Sequence, residues 1–228
     1  MKALATIALV LAAALSSAQS VTISPVYKEG DKIVHSLTLN LDISGLAQGV
    51  LKADLTSLVG KVTAETTEVK STFDNLSVLV NDSDAGTTAV EMVRVLNRDG
   101  SLKDVTGGLQ GGDNYRTSLL TTFFAPEAAV NAGDTYERKF PENKSAGIGA
   151  LTAKGKYIGE AEVAGQKGYK FTLTLKEAGE DAFDAEVTYV VQADGRILSI
   201  DGKFKNMPIP AAGAVATGTI KAEIKPSV

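Results

Sequence analysis

The chain has 228 residues, no cysteine and a formal net charge of −4, with acidic and basic residues interspersed along its length. The missing cysteine excludes disulfides, thiol catalysis, cysteine-held metals and lipid attachment at a cleavage-site cysteine. The missing basic cluster argues against nucleic acid, which demands concentrated Lys and Arg to neutralise phosphates.

The first residues read as an export signal. Lys2 supplies a short positive region, Ala3 to Leu15 form an apolar run too short for a bilayer, and Ser16-Ser17-Ala18 places small residues at a cleavage position. Cleavage is expected after Ala18, with Ser20 as the alternative. Residues 1–18 are then a signal peptide, and 19–228 form a single β-rich domain, periplasmic or secreted. No transmembrane segment is expected in the mature chain, because no later apolar run is long enough. Without disulfides the domain has to be held by packing, for which its length suffices.

In "DKIVHSLTLNLDIS" (31–44), Ile33, His35, Leu37, Leu39, Leu41 and Ile43 alternate with polar residues, the period of a half-buried strand. His35 is the only histidine and falls on the apolar side. Within a strand, and with no orienting partner in sequence, it fits a buried neutral ring bonded to a backbone or hydroxyl group, or a ligand contact in a cavity, better than a mobile general base. "SGLAQGVLKADLTSLVG" (44–60) is ambiguous. Leu46, Val50, Leu51, Leu55 and Leu58 fit a helix, while Leu51, Ala53 and Leu55 fit a strand and Gly49 disfavours a helix interior; the helix is the expectation. "NDSDAG" (81–86) reads as a hairpin turn rather than a calcium loop, since the downstream bidentate Glu is missing.

"VEMVRVLNRDGSLKDVTG" (90–107) overlies "AEVTYVVQADGRILSIDG" (185–202) at a shift of 95 residues, with Glu91, Val95, Asp99, Gly100 and Gly107 meeting identical residues. The same shift puts Gly60-Lys61 on Gly155-Lys156. Two tandem meander halves, 21–112 and 113–228, would account for this, and so would shared turn chemistry. Between them, "DNYRTSLLTTFF" (113–124) has Tyr115, Leu119, Leu120, Phe123 and Phe124 at helical spacing. Asp113 stands there as N-cap, and Pro126 follows as a stop. The Arg138-Lys139 pair reads as a solvated strand face.

From 156 onward the alternation is clean. Tyr169, Phe171, Leu173 and Leu175 share a side, as do Phe183, Ala185, Val187, Tyr189 and Val191. Leu198, Ile200 and Phe204, then Ala214, Ala216, Ile220, Ala222 and Ile224, follow in phase, and the breaks at 165–168, 178–181 and Asp194-Gly195 carry turn residues. These segments predict a five-stranded antiparallel meander. The fold class is mostly β: a curved antiparallel sheet, half-barrel or incomplete barrel, with one or two amphipathic helices on its concave face, or else a β-sandwich.

No catalytic constellation emerges. There is no Gly-x-Ser-x-Gly elbow and no His-Glu-x-x-His. "KSAGIGALTAKGK" (144–156) has Ala150 and Tyr157 where a phosphate loop requires Gly and Ser or Thr, and Glu180, Asp181 and Asp184 lie at a bend without enclosure. Asn75, Asn81 and Asn143 head Asn-x-Ser sequons that matter only in a eukaryotic secretory route. A non-enzymatic protein without cofactor or metal is expected. The inner face, carrying His35, Leu37, Leu39, Tyr169, Phe171 and Tyr189 under Tyr115, Leu119 and Phe123, either encloses a hydrophobic small molecule or lipid or simply fills the core. A module pairing with other envelope proteins through a sheet edge and a carboxylate-only, glycan-acting enzyme are the alternatives.

"FFAPEAAVNAGDTYERKF", followed by "GYKFTLTL" and "ADGRILSIDGKF", resembles a β-meander pattern of bacterial secreted proteins and lipoproteins of unknown function, with Tyr136 as the aromatic after Gly-Asp-Thr. The likeness spans about residues 123 to 225. More distantly, the helix-lidded layout is similar to the periplasmic lipoprotein carriers, whose open barrels bind acyl chains. That resemblance implies an envelope protein holding a lipid or acyl chain, here in soluble form because the lipid-bearing cysteine is missing.

Overall fold

The structure is a computed structural model describing residues 20–84, 90–180 and 182–226. The expected signal peptide lies outside the described residues, as do Gly86 of the 81–86 turn and Asp181 of the 178–181 bend.

Twelve strands among the described residues form one antiparallel sheet. The first group is β1 (Lys32–Ile43), β2 (Ala47–Val62), β3 (Thr66–Val80), the short β4 (Ser83–Asp84), β5 (Val90–Asn97) and β6 (Leu102–Gly107). Helix α1 (Asn114–Leu120) follows, then β7 (Thr135–Phe140), β8 (Leu151–Val163), β9 (Gln166–Glu177), β10 (Asp184–Val191), β11 (Ile197–Ile209) and β12 (Ala214–Ile224). The order across the sheet is β6-β5-β3-β2-β1-β12-β11-β10-β9-β8-β7, with β4 a spur on β3. The long central pairing of β1 with β12, from His35 opposite Ile224 to Ile43 opposite Ala216, joins the two meanders into one sheet. The predicted five-stranded meander is β8 to β12.

The sheet is curved but not closed. Laid flat, its outermost strands would stand about 48 Å apart at the usual strand spacing. Yet Arg138 of β7 reaches Asp99 in the β5–β6 turn at 2.5 Å, and Asn143 beyond β7 donates to the Lys103 carbonyl of β6. No backbone ladder links β6 to β7; side chains bridge the gap, and α1 leans on the β6 margin, where the Tyr115 hydroxyl donates to the Leu102 carbonyl. This is the incomplete barrel of the expectation, and the single sheet rules out the sandwich.

Two expectations need correction. Residues 47–62 are strand β2, not a helix. Leu51, Ala53 and Leu55 are buried on the concave face, whereas Leu46 and Leu58 of the supposed helical stripe are 68% and 39% exposed. Pairing with β1 on one side and β3 on the other satisfies the backbone of β2 along most of its length, and that outweighs a local pattern compatible with both periods. Arg138 is not on a solvated face. Its side chain is 11% exposed and bonds the Ala125 carbonyl and Asp99, while Lys139 alone points outward.

The helix begins where Asp113 predicts, with its carboxylate accepting from the Arg116 amide at 2.8 Å. It ends at Leu120 instead of running to Phe124, and the extended chain beyond it still directs Phe123 and Phe124 into the core. Arg116 crosses to the end of β9 and donates two hydrogen bonds to Glu177. The "KSAGIGA" lead-in to β8 supplies the rest of this cluster: the Gly147 carbonyl accepts from Arg116 and the Gly149 amide donates to Glu177.

Residues 20–27 form a strap across one end of the half-barrel. Val21 pairs with Val130, and the amides of Ser24 and Val26 donate to the carbonyls of Ala193 and Asp194 at 2.9 and 3.0 Å. Pro25 lies between two turns of the same build. In the β5–β6 turn, Gly100 N bonds Asn97 O and Ser101 N bonds Asp99 Oδ1; in the β10–β11 turn, 95 residues on, Gly195 N bonds Gln192 O and Arg196 N bonds Asp194 Oδ1. Both glycines have φ +80°, the left-handed region where only glycine sits without strain. The same shift lays β3 onto 161–175, which overlaps β9, and Gly60 of β2 onto Gly155 of β8.

Candidate ligand cavity

Under the strap lies a cavity of about 120 Å³. Its walls are apolar side chains of four strands and the post-helix segment: Ile33, Leu55, Val59, Val69, Ile197 and Phe123. Strand alternation puts Ile33 and His35, and Leu55, Ser57 and Val59, on the same inner side. Pro25 and Tyr27 of the strap form the roof, and Asp31, Asp194 and Arg196 stand at the rim.

Tyr27, His35, Ser57, Arg94 and Thr121 bring polar groups into this apolar space. His35 is 7% exposed and its Nε2 lies 2.9 Å from the Ile197 carbonyl, which assigns the proton to Nε2. Burial lowers its pKa, so the ring is held neutral. Arg94, on β5 in phase with buried Met92 and Leu96, is also 7% exposed. Its guanidinium meets only neutral acceptors at long range: the Thr121 hydroxyl at 3.2 Å, the Thr121 carbonyl at 3.5 Å and the Ser57 hydroxyl at 3.4 Å. Its Nε is buried without a partner among the described residues. Burial pushes the Arg94 pKa down, yet a guanidinium keeps its proton, so a positive charge stays inside the fold. The Tyr27 phenol is raised by burial and lowered by its proximity to Arg94.

The nine sequence candidates divide. His35 and Phe123 line the cavity. Leu37 and Leu39 face a separate void of about 20 Å³ beneath α1. Leu119, Phe171 and Tyr189 are core: Phe123 packs on Phe171 and Tyr189 with ring centres 5.1 and 5.6 Å away, and the Tyr189 hydroxyl donates to the Leu120 carbonyl. Tyr115 caps the β6 edge and Tyr169 packs on Tyr157. Sequence reasoning missed Tyr27, Ser57, Arg94 and Thr121. The available signal was Arg94 itself, a charge standing in the apolar phase of "VEMVRVLN".

Among the described residues no group of acidic or imidazole side chains is arranged to hold a metal ion, and no helix is long and apolar enough to cross a membrane. Fold and cavity together define a mostly β, open-sheet protein with a small chamber of apolar walls that one buried guanidinium enters. No protein-family model matches the chain, and no curated protein matches it.

Proposed function

We propose that this is an exported, non-enzymatic protein of the cell envelope that holds a small hydrophobic ligand, or the end of a longer acyl chain, in the chamber beneath the strap. One observation carries the reading: the concave face is not packed throughout, but leaves about 120 Å³ walled by Ile33, Leu55, Val59, Val69, Ile197 and Phe123. An engineered apolar cavity of about 150 Å³ stays dry and takes up benzene, so a chamber of this order suits a short alkyl or single-ring body. A whole acyl chain does not fit inside and would have to emerge past the strap. The signal-like N-terminus supports the location. The test is native mass spectrometry and lipid extraction of protein purified from the envelope, with titration by a neutral alkanol series. Saturable alkanol binding and a co-purifying apolar molecule are expected. An empty protein that binds no alkanol would overturn the reading.

A further inference from the structure

We propose that the chamber selects an anionic ligand, a monocarboxylate with a short apolar body, and that Arg94 receives its carboxylate. This rests on the reading above and names the chemical class of its ligand. Two buried guanidinium groups differ sharply in their partners. Arg116 has the Glu177 carboxylate at 2.6 and 2.8 Å, the Asp113 carboxylate and the Gly147 carbonyl around it. Among the described residues Arg94, just as buried, has no carboxylate partner, three bonds of 3.2 to 3.5 Å to neutral oxygens, and an Nε with none. A buried charge is retained at low cost only when it is paired and fully bonded. Arg94 is neither, and it borders the chamber of about 120 Å³ beneath the strap.

The surroundings fit a carboxylate. Tyr27 and Ser57 place hydroxyls on the same chamber. A carboxylate accepts from a guanidinium at about 2.7–2.9 Å, and such bonds are roughly twice as strong as neutral ones, so exchanging the long Ser57 contact on Nη2 for one is favourable. The apolar body would lie along Val59, Val69 and Ile197. Asp31 and Asp194 at the rim oppose an anion, but they are partly exposed, and Asp194 faces Arg196 at 3.8 Å, so solvent screens them from the interior.

Calorimetric titration of the mature chain with hexanoate, 1-hexanol and chloride separates the cases. Hexanoate is expected to bind about 10- to 100-fold more tightly than hexanol, the ratio that a charge-assisted hydrogen bond supplies. Arg94→Met should abolish that preference while leaving hexanol binding in place. If Arg94→Met fails to fold, Arg94→Lys decides, because it keeps the charge but loses the fork; the hexanoate preference must fall with hexanol binding unchanged. Equal binding of hexanoate and hexanol by the wild type, or a preference that survives both substitutions, overturns the assignment to Arg94 and leaves the apolar chamber standing. Chloride binding as tight as hexanoate overturns the monocarboxylate in favour of an inorganic anion. Binding of none of the three overturns the hydrophobic-ligand reading itself.

Discussion

Arg116 and Glu177, 61 positions apart in sequence, form a bidentate pair closed on both sides: Nε to Oε2 at 2.8 Å and Nη2 to Oε1 at 2.6 Å, with side chains 10% and 5% exposed. The pair pins the helix to the end of β9, and so decides where Leu119, Leu120 and Phe123 meet the sheet. Removing one member leaves the other as a buried charge short of partners, at a cost of about 3–5 kcal/mol. Glu177→Leu is expected to lower urea-melt stability by that order. The double variant Arg116→Met/Glu177→Leu is expected to recover only part of the loss, since it removes the unpaired guanidinium but leaves the Asp113 carboxylate without its partner. A double variant as unstable as the single one would show that Asp113 and the glycine lead-in, not the pair itself, set the energy.

Much of this architecture was legible before any coordinates. The second meander and the Asp113 cap followed from period-two alternation and turn residues, which act locally. β2 was not legible, because its leucines satisfy two periods and only the flanking ladders of β1 and β3 choose between them. The chamber was legible only in part. His35 announced itself as a titratable ring on an apolar side, but Arg94 is buried by Ser57 of β2 and Thr121 beyond the helix, partners brought together by the curl of the whole sheet. No spacing rule reaches that far. For Phe171 and Tyr189 the sequence leaves lining and core filling both open, for the same reason in reverse: alternation says which side of a strand faces inward, not whether a neighbour fills the space in front of it.

Phe123 tests how much of the concave face can be opened. Its ring stacks in the Phe171–Tyr189 cluster and forms one wall of the chamber. Phe123→Ala should destabilise the protein by about 3–5 kcal/mol through lost burial and the void left behind. The same void should admit larger guests, shifting the preferred alkanol toward longer chains. Stability is read by urea melts and chain-length preference by titration. A large loss of stability with no change in chain-length preference would place the guest elsewhere.

His35 makes stability depend on pH with a defined sign. Burial holds its folded pKa below 6.5, so the unfolded chain takes up the proton first as pH falls. Stability contributed by the neutral ring is complete above pH 6.5 and is lost as pH falls from there to the folded value, with no further loss from this group below it. His35→Gln keeps an amide donor within reach of the Ile197 carbonyl but does not titrate. The stability-against-pH curves of wild type and His35→Gln are expected to converge as pH falls through that window. Parallel curves would mean that the ring is not held neutral.

Pro25 is the point at which the two matching turns and the strap meet, and this makes the strap testable from the turns. A Cβ built on Gly195 would stand 3.0 Å from the Pro25 backbone, and one on Gly100 would stand 3.1 Å from the Pro25 ring and 3.2 Å from the Tyr27 hydroxyl. Alanine at either position adds about 1–2 kcal/mol of left-handed backbone strain. At Gly195 the contact is with backbone, so the proline cannot yield by rotating a side chain, and the strap has to lift. Hydrogen exchange of Gly195→Ala should show loss of protection at the Ser24 and Val26 amides, whose acceptors are the Ala193 and Asp194 carbonyls, with the β8–β9 ladder unchanged. Ligand exchange should quicken in step, since the strap roofs the chamber. Unchanged protection at Ser24 and Val26 would mean that the strap is held by Val21 on Val130 rather than by the turns.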